Sequence, residues 1–366
     1  MKKILLVMLV SVVVLAMALA GCGGNKTPDA PAATEAPAAT EAPAGEESPA
    51  GEEPAAGAVK TGLGTVISIA KSAGASADAT ALAQADIVMA AVTLGADGKI
   101  ANVKIDTTQS KVNFDAAGQL TTDVAAEVKT KVELGDAYGM KKASGIGKEW
   151  YEQIAALEDW MVGKTIDEVM ALSVTAEGTT DDPDLTASVT IHVGDYLNAV
   201  KKAVDNAKDF GVAVTGATKT GLGTVISLAK SASATAEAAG LAQTDNIMVA
   251  ATFDETGKIV GVIIDTAQIK INVDAAGAVT TDTAAELKTK NELGDEYGMK
   301  KASGIGKEWY EQAAALAQWM IGKTVDEVAG MALTEGAPAD ADLASSVTVH
   351  VTDYIAALQK AAAMAD

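Results

Sequence analysis

The body of this chain is written twice, and that constrains the fold more than anything else in it. Lys60-Thr-Gly-Leu-Gly-Thr-Val-Ile-Ser68 recurs as Lys219 through Ser227, 159 residues on. The same offset relates Ile105-Asp-Thr107 to Ile264-Asp-Thr266, and Tyr138 through Tyr151 to Tyr297 through Tyr310; it drops to 158 by His192 and His350. A period this long lies outside the solenoid range, and a copy of about 150 residues is large enough to bury a core. The expectation is two tandem domains, 58–210 and 217–366, with a short join around Gly211–Gly216.

Within a copy, Gly64–Ala70, Ile87–Leu94 and Ile100–Ile105 read as strands, the last two joined by the turn Ala96-Asp-Gly-Lys99. Asp123–Lys131 reads as a short amphipathic helix, and Lys148–Val162 as a longer one with Trp150, Ile154, Leu157 and Met161 at helical spacing. Thr165–Leu172 starts another helix after Gly163, Ser188–Val193 alternates as a strand, and Asp195–Ala207 closes the unit as a helix. This order predicts an α+β fold with an antiparallel sheet in each copy rather than a βαβ array.

Residues 1–22 carry Lys2 and Lys3, an apolar run from Ile4 to Ala18, and then Leu19-Ala20-Gly21-Cys22. That is the layout of an export signal, and small residues directly before Cys22 resemble a bacterial lipobox. The resemblance implies lipidation of Cys22 and a lipid-anchored protein on the extracytoplasmic face of the cell membrane. An uncleaved anchor is the alternative, since the run is only slightly short for a span. Residues 23–57 hold six of the eight prolines and no apolar side chain larger than Ala, so they are expected to be a disordered Ala/Pro/Glu tether.

Composition excludes several classes. The net charge is −21 and every basic residue is Lys, which argues against nucleic acid as a partner. One Cys and two His leave no multi-cysteine or histidine-rich metal site. His192 and His350 alternate with apolar residues and are expected on the surface. No nucleophile–His–acid grouping recurs in both copies, against a hydrolase. The Asp97-Gly-Lys99 turn lacks the ligand pattern of a calcium loop.

The most informative stretch is Gly139-Met-Lys-Lys-Ala-Ser-Gly-Ile-Gly147 and its twin Gly298 through Gly306, a glycine-bearing loop that feeds a helix. Backbone N–H groups at a helix start attract anions, and Lys141, Lys142, Lys300 and Lys301 add positive charge. Ser144 and Ser303 offer hydroxyls there, or serve as plain N-caps. Asp106-Thr107-x-Gln109 and Asp265-Thr266-x-Gln268 are read as strand ends that either touch a cofactor or bridge strand to loop. Tyr138, Met140, Tyr297 and Met299 lie in the loop and could wall a flat ring; Trp150 and Trp160 suit the core.

This order of elements resembles the FMN-binding domain of exported flavoproteins. The whole chain, with lipobox, tether and two such units, resembles the flavinylated lipoproteins of extracellular electron transfer in Gram-positive bacteria. The resemblance implies FMN in each repeat, joined through a phosphoester by a flavin transferase. It also implies a membrane dehydrogenase or quinol as electron donor and an external acceptor such as ferric iron, so the chain is expected to be a carrier more than an enzyme with its own substrate. The family's acceptor motif, Ser/Thr-Gly-Ala-Thr/Ser, is not matched in the loop. Aligning Ala143-Ser144 with its last two residues makes Ser144 and Ser303 the attachment points, with Lys141 and Lys142 replacing the Ser-Gly. A literal match, Thr215-Gly-Ala-Thr218, lies in the join and has no counterpart in the first copy. Non-covalent FMN is a further possibility. A cofactor-free binding or adhesion lipoprotein with duplicated display domains is the alternative reading, and a solute receptor a third.

Overall fold

The computed structural model describes residues 57–366. The export signal, Cys22 and nearly all of the tether lie outside the described residues. In the first repeat β1 (Ala58–Ser68), β2 (Ala81–Leu94) and β3 (Ile100–Phe114) form an antiparallel meander. Helices α1 (Lys131–Leu134), α2 (Trp150–Met161), α3 (Ile166–Met170) and α4 (Gly194–Asp205) follow. The join is not a plain loop: β4 (Lys208–Ala213) returns to pair with β1, giving the order β3-β2-β1-β4.

The second repeat copies the plan. Its sheet is β5 (Lys219–Ser227), β6 (Gly240–Phe253) and β7 (Ile259–Val273), in that order. It continues with α5 (Lys290–Leu293), α6 (Trp309–Met320), α7 (Val325–Ala329), the short hairpin β8 (Leu333–Thr334) and β9 (Ala337–Pro338), α8 (Ala341–Ala344) and α9 (Thr352–Ala363). The α+β class with antiparallel sheets therefore holds.

The two repeats share a core. On β2, Val88, Ala90, Val92 and Leu94 face the first repeat's helices, while Ile87, Met89 and Ala91 face the other way. That second face packs against Leu222, Met248, Ile263, Ile269 and Val273 of the other sheet. The order of layers is thus helices, sheet, sheet, helices. Residues 57–366 lie within one compact unit.

Four equivalent threonines sit inside the shared core and are fully buried. Their hydroxyls form a chain, Thr61 to Thr252 at 2.6 Å, Thr252 to Thr93 at 2.6 Å and Thr93 to Thr220 at 2.5 Å. A satisfied polar chain in an apolar layer fixes register at little cost, because each hydroxyl has a partner. Matched ion pairs close the rim, Lys202 with Glu292 and Lys360 with Glu133, each at 2.7 Å.

The Gly-x-Gly of β1 has a packing reason. A Cβ on Gly62 would lie 1.9 Å from the Ala203 carbonyl oxygen, and one on Gly64 2.1 Å from that of Ala199. Gly221 and Gly223 meet Ala361 and Ala357 in the same way. These glycines let α4 and α9 lie directly on the strand.

Two expected elements do not form. Asp123–Lys131 is a run of turns, with the Asp123 carboxylate accepting from Ala125 N–H. Val124 and Val128 lie against the shared core instead of one helical stripe. The helix starts only at Thr130, whose hydroxyl and the Glu133 carboxylate form a reciprocal capping box. Ser188–Val193 is not a strand either, since Val189 N–H bonds to Leu185 O and Thr190 N–H to the Gln153 side chain. Val189 and Val193 are buried and His192 exposed, so alternation survives without a ladder. His350 is likewise exposed.

Candidate functional site

The loop between α1 and α2 is built around one buried carboxylate. After a turn of 3-10 helix over Gly135–Tyr138, Gly139 takes a left-handed conformation at φ 76° and reverses the chain. Glu149, at the start of α2, folds its side chain back under the loop. Its two oxygens accept from Met140 N–H at 2.8 Å and Lys141 N–H at 3.0 Å, while its own N–H donates to Glu152 at 2.7 Å. Glu308 repeats every contact with Met299, Lys300 and Glu311. The loop amides expected to cradle an anion are thus already bonded to an internal one.

Ser144 sits on this frame, half-buried. Its hydroxyl accepts from the Gln153 side-chain amide at 3.2 Å. Gln153 is fully buried, and its carbonyl oxygen holds Thr190 through N–H at 2.8 Å and hydroxyl at 3.2 Å. Ser303, Gln312 and Thr348 reproduce the set at the same distances. Ser144 is therefore a positioned hydroxyl on the loop and not the N-cap of α2, which is Glu149. Lys141, Lys142, Lys300 and Lys301 are exposed. Among the described residues none of the four joins an ion pair.

Beneath the loop lies a floor of polar and aromatic side chains. Tyr138 and Met140 are half-buried against the first repeat's core. The Tyr138 phenol donates to Gln109 at 3.4 Å, and Gln109 in turn donates to Asp86 at 3.2 Å, which is paired with Lys71 at 2.7 Å. Lys131 at the start of α1 directs its ammonium between two rings, 4.9 Å from the centroid of Tyr138 and 5.0 Å from that of Trp150. Burial pulls this ammonium down to about 8, against the attraction of Asp86 and Asp106. Lys290 stands likewise 4.7 Å from Tyr297 and 5.1 Å from Trp309.

Trp150 is a core residue, as expected, and donates its indole N–H to the Tyr196 phenol at 2.9 Å. Burial pushes that phenol up to about 12. Thr107 is only 3% exposed, and its hydroxyl lies near the same phenol without hydrogen-bond geometry; among the described residues it has no partner. Thr266 is its equal in the second repeat, 2% exposed and also unpartnered. Buried hydroxyls without partners are rare enough to require a reason.

The Asp106-Thr107 and Asp265-Thr266 pairs lie in the middle of β3 and β7, not at strand ends. Asp106 Oδ1 accepts from Thr107 N–H at 2.7 Å and Val132 N–H at 3.1 Å, so it ties β3 to α1. Asp265 does the same for β7 and α5. Burial pushes both carboxyls up to about 6 despite these bonds. The structure thus groups Tyr138, Met140 and Thr107 on one side of the loop with Ser144 and the lysines above, and leaves Asp106 as a brace. Lys131, Glu149, Gln153 and Tyr196 were missed. Each is identical in the other repeat, as Lys290, Glu308, Gln312 and Tyr354, which was the signal available for them.

A separate cleft of about 440 Å³ opens between the repeats, lined by Asp205, Asn206, Ile263, Asp265, Asn291 and Tyr310. It contains none of the duplicated loop residues, and Asn291 and Ile263 stand where the first repeat has Val132 and Lys104. Thr218, in the join, accepts from the Asn102 side chain at its carbonyl and hydroxyl oxygens, 3.0 and 3.1 Å away. Among the described residues no cluster of three or more His, Cys, Asp and Glu could hold a metal ion, and no helix is long and apolar enough to cross a membrane.

No family model matches the chain, and no solved structure matches it. The chain is similar to the chlorophenol reductase of Desulfitobacterium hafniense, with 40% identity over 91 residues. The match covers 22% of this chain and 28% of that protein, so the chain spans well under a third of the relative's length.

Proposed function

We propose that the chain is a lipid-anchored, extracytoplasmic carrier of two FMN groups, one per repeat. Each flavin is joined by a phosphoester to Ser144 or Ser303. The observation that carries this reading is the duplication of a whole constellation in an exposed loop. A fixed serine, two exposed lysines, half-buried Tyr and Met and, on the neighbouring strand, a buried hydroxyl without a partner among the described residues recur together in both repeats. Repetition of core packing alone needs none of these.

The residues present fit the group. Gln153 orients the Ser144 oxygen, Glu149 fixes the loop that bears it, and Lys141 and Lys142 supply the positive charge a phosphate diester favours. Tyr138 and Met140 offer a flat, polarizable wall. Thr107 offers an unsatisfied donor at the floor. The flavin, when bound, supplies reversible electron transfer, and the protein supplies position and electrostatics. In this reading a flavin transferase installs the group, a membrane dehydrogenase or quinol reduces it, and an external acceptor such as ferric iron takes the electrons. The name of the partial relative, a reductase, is in keeping with redox use of this kind of unit.

Full-length protein co-expressed with a flavin transferase tests the reading. It should purify yellow, keep about two flavins per chain through acid precipitation, bleach with dithionite and recover colour with ferric citrate. Colourless protein, both from that expression and after incubation with free FMN, would turn the reading towards a cofactor-free binding lipoprotein.

A further inference from the structure

The aromatic-clamped lysines make no ion pair among the described residues. Lys131 is 9% exposed, yet no carboxylate or other hydrogen-bond acceptor touches its ammonium among the described residues. Two ring faces lie at about 5 Å, and Asp86 and Asp106 attract it from beyond ion-pair distance. A cation over a ring recovers less than it costs to bury an ion that no counter-charge contacts. A Leu or Met at this position would pack against Tyr138 and Trp150 with no such penalty. Thr107, next to the same floor, likewise spends a buried hydroxyl on no partner, where Val would fill the same volume. The ring-clamped ammonium recurs at Lys290, which is half-buried, and the orphan hydroxyl at Thr266.

We propose that in each repeat the lysine ammonium and the threonine hydroxyl (Lys131 with Thr107, Lys290 with Thr266) form a recessed receptor for the electron-rich carbonyl edge of a planar heteroaromatic ring. Resting on the flavin reading above, that ring is the isoalloxazine and the edge its pyrimidine end. The ammonium supplies charge and the hydroxyl a directional donor, and the ring faces of Tyr138 and Trp150 hold the ammonium in place. Burial depresses the proton affinity of Lys131 although Asp86 and Asp106 attract it from a distance, which agrees with a cation that no anion contacts directly. A carbonyl edge, and more so the reduced ring with its added electrons, supplies that partner. The same geometry therefore predicts that the lysine stabilises the reduced form over the oxidised one.

Lumiflavin, the ring system without ribityl chain or phosphate, is the probe. Unloaded full-length protein should quench its fluorescence at two sites. Lys131→Met should weaken one of them about tenfold and Lys131→Met with Lys290→Met both, while Lys131→Arg should retain most of the affinity. Thr107→Val keeps the packing and removes the orphan hydroxyl, so it should weaken one site without lowering the unfolding midpoint. In FMN-loaded protein, Lys131→Met should shift one flavin to lower potential by about 30 mV, a tenfold loss for a two-electron couple. No lumiflavin binding, or binding indifferent to the double lysine variant, would overturn the receptor. Lysine-dependent lumiflavin binding without any covalent FMN would keep the receptor and sink the attachment.

Discussion

Replacing Glu149 by Gln probes the frame on which the candidate site depends. The carboxylate is 3% exposed and its two oxygens accept from the Met140 and Lys141 amides at 2.8 and 3.0 Å. Gln keeps the shape but has one oxygen and one NH2 group. One contact becomes neutral and the other sets donor against donor. A hydrogen bond to a charged group is worth about 1.5–3 kcal/mol, a neutral one about 0.5–1.5, and an unsatisfied buried donor costs about 1–3. The loss is therefore about 2–4 kcal/mol, felt mainly as opening of the loop because Trp150 and the α2 core remain packed. At 1.4 kcal/mol per decade, the Met140 and Lys141 amides should exchange hydrogen about 30- to 700-fold faster. Met299 and Lys300, held by Glu308, provide the control within the same molecule. Flavin loading should fall at Ser144 and persist at Ser303. Equal exchange at the two loops in the Glu149→Gln protein would refute the clamp.

Further outcomes follow from other parts of the fold. Gly64→Ala drives a Cβ to 2.1 Å from the Ala199 carbonyl and should cost about 3 kcal/mol or more by urea unfolding; Gly98→Ala, with φ at 75° and open space around it, should cost only about 1–2. Asp106 is raised to about 6 by burial, so the folded state holds its proton more tightly than the unfolded chain. Its contribution is full below about pH 4 and is lost as pH rises through 6. Asp106→Asn keeps the Oδ1 that takes both amides, and should therefore be more stable than the parent at pH 7 by about 2 kcal/mol, with the difference gone at pH 4. A 58–213 fragment exposes Ile87, Met89 and Phe114 of the shared core, so light scattering should find it self-associated or aggregated; a stable monomer would contradict the shared core.

The duplication, the hairpin at Asp97-Gly-Lys99, the Trp150 helix and the α+β class were legible because they rest on local pattern. What β2 packs against was not. Its run Ile87–Leu94 is apolar on both faces, which announces burial on two sides but not by what. The second layer turned out to be the other repeat. Asp123–Lys131 misled because Val124 and Val128 satisfy a helical spacing while the backbone takes turns, and the capping box at Thr130 was the better boundary signal. At the site, Ser144, Tyr138 and Met140 stood out by lying in a glycine-bearing loop. Lys131 and Glu149 looked like ordinary charged residues flanking short helices, and only the tertiary fold removes one from water and places the other beneath the loop amides.

Peptide mapping with intact mass on the full-length protein, co-expressed with a flavin transferase, tests the central claim most directly. The account predicts two FMN adducts, on the peptides holding Ser144 and Ser303, one lost in Ser144→Ala and the other in Ser303→Ala. An adduct at Thr218, or none in either loop, would contradict it.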